Sequence, residues 1–177
     1  MPGTAKPAKD AQACPSLLRL HPLYAGVVLI ALFFVLVIYT PPIFCSSLAC
    51  WFRSWQKAVM GLVCHQQLAR TFQWDGIPLA ACSRCTGIYS GFLLALVSFV
   101  KKKETAYAGK HYIMKIFVFS TVVLVVDGVG NLTGLWFTSD TTRAIIGGFW
   151  GVMTGMLMLM ALTITRIKKG DRNDGTY

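Results

Sequence analysis

The chain has 177 residues, of which 55% are hydrophobic and 14% charged, with a formal net charge of +10 and a mean hydropathy of +0.57. That balance excludes an ordinary soluble domain and points to a single polytopic membrane domain. The basic residues stand at the ends of apolar runs without a stripe of interleaved aromatics, which sets nucleic acid aside and fits anionic lipid heads instead.

Residues 1–22 carry Pro, Ala and Lys without periodicity and read as a mobile cytoplasmic tail that includes Cys14. Leu23 to Tyr39 is continuously apolar and is stopped by Thr40-Pro41-Pro42. No small-residue cleavage site follows it and three more apolar runs do, so it reads as a retained first span, 23–40, rather than a signal peptide. Residues 41–78 form an outer loop. Within it Trp55, Ala58, Val59, Leu62 and Val63 recur at helical spacing, while Arg53 and Lys57 oppose full insertion. A short interfacial helix with an aromatic belt of Trp51, Phe52 and Trp55 is expected there, then a turn over Gln73–Pro78.

Further spans are expected at 79–100, 113–130 and 142–165, closing a transmembrane domain of 23–166 ahead of a basic cytoplasmic tail, 167–177. The expected fold class is an all-α membrane protein with about four transmembrane helices and one interfacial helix. Lys6, Lys9, Arg19, Lys101, Lys102, Lys103, Lys110, Lys115, Arg166, Lys168, Lys169 and Arg172 fall on one side of such a layout. Arg53, Lys57, Arg70, Arg84 and Arg143 fall on the other. The asymmetry places both termini in the cytoplasm of a cell (inner) membrane. Gly87, Gly91 and Ala95 recur every four residues, as do Gly147, Gly151 and Gly155. Small residues at that interval let helices approach closely in lipid, so the second and fourth spans are expected to pack tightly, with each other or across a homo-oligomer.

The chemistry concentrates between Cys64 and Gly91, on the outer side. Cys82-Ser83-Arg84-Cys85 stands where a helix begins, and the N-terminal dipole together with Arg84 favours thiolates. With Cys64 and His65 it makes a Cys/Cys/Cys/His set, a combination that zinc accepts. Consecutive residues on a regular helix diverge by about 100°. Either a helix end brings both Cys64 and His65 to the metal, or only one ligates. Asp127 and Arg143 lie across a short loop, near the outer ends of the third and fourth spans. An ionisable residue in a span needs a partner, so Asp127 pairs with Arg143, or with Arg84 or Arg70. In the functional reading Asp127, Arg70, Arg84 and Arg143 are the catalytic candidates around an outer-leaflet pocket with Asn131. Cys45 and Cys50 allow a disulfide in an oxidising compartment.

Cys64-His65-Gln66, then Arg70, then Cys82-x-Arg84-Cys85-Thr86-Gly87-Ile88-Tyr89-x-Gly91 resembles the signature of an uncharacterised prokaryotic integral membrane family, domain of unknown function 2085. Asp127, Arg143 and Gly147 extend the resemblance, which covers residues 55–165. It implies membership and a membrane topology and carries no activity with it.

Three functions fit these residues. The preferred one is a metal site, zinc by ligand type, beside an outer-leaflet pocket able to take a lipid or quinone-like substrate. The second is a quinone-linked thiol–disulfide oxidoreductase passing electrons from Cys45/Cys50 to Cys82/Cys85. The third is a non-enzymatic membrane subunit in which the cluster only holds the fold. The metal reading uses His65 and the third cysteine, which the other two leave unexplained.

Overall fold

The computed structural model describes residues 22–40, 47–99 and 110–174. Cys14, Cys45, the tail before residue 22 and the Lys101–Lys103 run lie outside the described residues, as does the side chain of Cys50. In chain order the elements are α1 (Pro22–Tyr39), α2 (Ser47–Gly61), a 3-10 turn (Leu68–Arg70), strands β1 (Gln73–Trp74) and β2 (Ile77–Pro78), α3 (Ser83–Phe99), α4 (Lys110–Thr133) and α5 (Asp140–Asp174). This is an all-α membrane-like fold.

Helices α1, α4 and α5 each contain a stretch long and apolar enough to cross a membrane. Their large apolar side chains, among them Leu29, Ile30, Val118, Phe119 and Ile145, point outward, as lipid-facing residues do. Helix α3 has 17 residues. At 1.5 Å per residue it is about 25 Å long, short of a bilayer's hydrocarbon thickness of about 30 Å. It begins four residues after the expected start at 79, because Leu79–Cys82 serve as the exit from the hairpin and the helix cap. Helix α5 runs to Asp174, past the expected end at 165, because nothing between Thr165 and Asp174 stops a helix except the tolerated Gly170.

The expected interfacial helix is α2, amphipathic by sequence and joined to α1 by apolar contacts and by one buried polar side chain. Buried Gln56 donates its amide to the carbonyls of Val37 and Thr40, two of the acceptors that the C-terminus of α1 leaves open. The Gln73–Pro78 turn is a two-stranded hairpin whose central residues Asp75 and Gly76 both have positive φ, +48° and +76°. That is the tight-turn geometry favoured by Asp-Gly.

The closest packing is between α3 and α5. A Cβ added at Gly87 would overlap the Ala144 carbonyl, one at Gly91 the Gly148 carbonyl, and one at Gly151 the Ile88 carbonyl. The two backbones touch without side chains between them. Gly147, Gly151 and Gly155 are therefore turned on α3 of the same chain. The loop from α4 to α5 is held at both ends. Gly134, at φ +74°, ends α4 with Leu135 N–H donating to the Gly130 carbonyl, and Ser139 Oγ caps α5 at the Thr142 N–H.

Gly151→Val is expected to destabilise the detergent-solubilised protein by about 1–3 kcal/mol or more, because a backbone carbonyl cannot step aside. Gly26→Ala, at a position with open space around it, is expected to be neutral or stabilising by about 0.5–1 kcal/mol. Thermal unfolding of both variants checks this. An unchanged midpoint for Gly151→Val would remove the backbone contact from the account.

Candidate metal centre and the polar lock beside it

Helix α2 ends at Gly61, and Cys64 follows on the exit turn, with its N–H on the Met60 carbonyl at 2.8 Å. The chain then turns at Gln66, a non-glycine residue at φ +47°. This uncommon conformation, which costs about 1–3 kcal/mol, brings the Gln66 N–H to 3.5 Å from Cys64 Sγ. The Cys82 N–H reaches the same sulfur at 3.3 Å. Two backbone donors aimed at one sulfur favour its thiolate.

Cys82 and Cys85 come from the start of α3. Cys82 precedes Ser83, the first helical residue, and accepts at its carbonyl from both the N–H and the hydroxyl of Thr86. The three-residue step puts both sulfurs on one face of the first turn.

The Sγ atoms of Cys64, Cys82 and Cys85 all lie within 4.8 Å of one another. Ligation at about 2.3 Å per bond in a tetrahedron spaces sulfurs about 3.8 Å apart. The three are therefore one small inward adjustment from a ligand set. All three cysteines are free thiols. They are walled by Val37, Ile38, Met60 and Ala81, with Phe34, Trp55 and Tyr89 packed around them. The Cys82 and Cys85 thiols donate to Cys64, which with the two backbone N–H groups pulls the Cys64 thiol down to about 2 against the effect of burial. Donating to Cys64 raises Cys82 in turn. A thiolate held by two thiols in such an apolar enclosure favours a cation beside it. The donor set therefore fits a thiophilic metal.

His65 is not part of this group. Its side chain is exposed beside Cys64 and supplies none of the converging atoms. Because the helix has already ended, Cys64 turns inward and its neighbour outward.

The other face of the same turn is polar. Arg84, between the two cysteines, pairs with Asp127 of α4. The other Asp127 oxygen accepts from Asn131 Nδ2 at 2.9 Å and from Thr138 Oγ1 at 3.0 Å. Arg143 does not pair with Asp127. It donates to Asn131 Oδ1 at 2.7 Å, to Thr138 Oγ1 at 3.2 Å and to Asp140 at 3.3 Å. Arg70 donates to the Asn131 carbonyl near the end of α4. Ser83 Oγ joins the Arg70 carbonyl to Asp140, both at 3.1 Å. Asp127, Asn131, Arg143 and Ser83 are 5%, 2%, 6% and 0% exposed.

All four arginine and aspartate candidates thus meet in one network, a lock in which both Asp127 oxygens are engaged. A shallow cleft elsewhere is bounded by α1, α2 and the hairpin. Thr138, Asp140 and Ser83 complete the lock and were not singled out by sequence. Asp140 carried a signal, three residues before Arg143 on one helix, and so did Ser83, inside the CxxC. The thiol relay finds no support here: the CxxC sulfurs face Cys64, and no Cys45–Cys50 pair lies within the described residues.

The sequence profile of a family described as "Predicted membrane protein (DUF2085)" matches residues 64–158. An uncharacterised protein of Methanocaldococcus jannaschii is 34% identical over 93 residues, which is 51% of this chain and 57% of that protein. The alignment thus spans little more than half of that relative's length. No solved structure matches.

Breaking the lock from one side strands a buried charge, a loss of about 3–5 kcal/mol. Asp127→Leu and Arg84→Met are each expected to lower the unfolding midpoint strongly. The Asp127→Leu/Arg84→Met double variant should recover much of the loss, since well-packed apolar residues replace a buried pair at little net cost. A double-mutant cycle measured by thermal unfolding checks this, and additive effects would argue against the pair.

Proposed function

Since the chain belongs to the family of predicted membrane proteins whose profile covers residues 64–158, we propose that it is an integral membrane protein carrying a zinc–thiolate centre on the non-cytoplasmic side. Cys64, Cys82 and Cys85 are the ligands. The observation that carries this reading is the convergence of their three sulfurs within 4.8 Å in an apolar enclosure. Zinc is preferred because thiolate ligands suit it and it brings no redox chemistry of its own. Three sulfurs leave a fourth position for solvent or an incoming ligand. His65, exposed next to Cys64, is the protein group nearest in sequence to fill it.

The primary role of the centre is to pin the outer loop to α3. Cys64 lies at the end of α2, Cys82 and Cys85 at the start of α3, and about 20 residues of irregular chain and hairpin run between them. Arg84, Asp127, Arg143 and Arg70 then act as positioning residues, holding the ligand-bearing turn against α4 and α5. The orientation rests on the Lys and Arg asymmetry, with both termini cytoplasmic.

Purified protein is expected to hold about one zinc per chain by elemental analysis. Cys64→Ser or Cys85→Ser should lose most of it, while His65→Ala should keep it if solvent fills the fourth position. Uptake expels the protons held among the thiols, so affinity falls as pH falls, by up to about a hundredfold per pH unit for two protons. Metal-free protein of full stability, indifferent to chelators, would sink the proposal. For orientation, a Leu135→Cys thiol should react with a membrane-impermeant maleimide in intact cells, and a Thr176→Cys thiol only after lysis. The reverse pattern would invert the topology.

A further inference from the structure

The cleft at the outer end of α1 shares Ile38 and Ala80 with the wall of the sulfur group but none of its sulfurs. It is a shallow opening lined by Ile38 and Thr40 of α1, Arg53 and Lys57 of α2, and Trp74, Ile77, Pro78, Leu79 and Ala80 of the hairpin and its exit. Gln56, between the two cations, is consumed by the α1 carbonyls and sets the α2 register. Arg53 and Lys57, four residues apart, stand over the same opening.

Like charges one helical turn apart repel, so the pair costs stability unless something compensates it. The C-terminus of α1 supplies about half a negative charge, and Gln56 already occupies two of its carbonyls. Asp75 sits in the adjoining hairpin turn and forms no ion pair with either cation among the described residues. More than one positive charge therefore remains uncompensated in a concave site. The site's depth is also defined. Ile38 and Thr40 end a membrane-crossing helix, so the cleft opens at headgroup level, and Trp74, 63% exposed, stands at its rim as an interfacial aromatic does. Its remaining walls, Ile77, Pro78, Leu79 and Ala80, are apolar and suit the glycerol and upper acyl region.

We propose that this cleft binds the phosphate group of an anionic phospholipid, with Arg53 and Lys57 holding the phosphate oxygens and the apolar walls holding the lipid below it. Arg53 offers a planar fork for two oxygens and Lys57 a mobile point charge. The occupant is taken as a lipid rather than free phosphate because the cleft joins a cationic mouth to an apolar floor at the membrane boundary.

The test uses the full, metal-loaded chain in detergent micelles doped with phosphatidylglycerol or phosphatidylcholine, with retained lipid counted by native mass spectrometry. Phosphatidylglycerol should be retained in preference, with roughly fivefold of that preference lost per cation removed and about twenty-five-fold lost in Arg53→Gln/Lys57→Gln. Lys57 is exposed, so Lys57→Gln alone preserves the fold and should show the single-cation loss. Equal retention of the two lipids, or a preference that survives the double variant, overturns the proposal. Retention of inorganic phosphate without preference for phosphatidylglycerol also overturns the lipid assignment. Metal content is read in the same spectra, so failure of the zinc reading and failure of this one are distinguishable.

Discussion

The buried pair between Arg84 and Asp127 is the interaction on which the rest of the site depends. Arg84 sits between two cysteines on the first turn of α3, so holding its guanidinium against α4 also fixes where the Cys82 and Cys85 sulfurs point. A single helical turn thus faces two environments. One face is sulfur in an apolar enclosure, and the other is a polar network that leaves only Arg84 Nε without a partner among the described residues. Neither face is arranged without the other, because residues three apart share a side of the helix and the one between them does not.

The network also answers a constraint set by the membrane. The junction of α4 and α5 is irregular backbone near the edge of an apolar body, where unsatisfied N–H and C=O groups are costly. Arg70, Asn131 and Ser139 supply the missing partners, with glycine at Gly134 providing the αL turn. Arg143 uses its donors on three different groups, which a lysine's single ammonium on a flexible stem would match poorly. Gln56 does similar work at the other junction, between α1 and α2.

Helix α3, short for a bilayer over its described residues, is held against several neighbours. Glycines on both helices bring its backbone against α5, Tyr24 donates to its Leu96 carbonyl, and Tyr89 stacks on Phe34 at 5.0 Å. Its N-terminal end is tied by charge to α4 and by the sulfur group to the α2 exit. A metal shared among those sulfurs would add a further link between the α2 exit and the start of α3, beside the apolar cluster that already joins them.

Much of this was legible from residue order alone. Apolar run lengths marked the helices, glycine spacing marked the α3–α5 contact, and the helical period under Trp55–Val63 marked α2. Asp75-Gly76 marked the turn. These are local properties, written in the period of a helix or the φ of a single residue. The choice among partners was not local. Three arginines were open to Asp127, and only the packing of α3 on α4 selected Arg84 and sent Arg143 to Asn131 and Asp140. Cys64 and His65 are adjacent and both able to ligate. The end of α2 at Gly61 and the left-handed turn at Gln66 aimed one inward and the other at solvent. Residue type and spacing determine which groups can react, while the direction of each side chain depends on where helices end and what they pack against, and that is decided only in three dimensions.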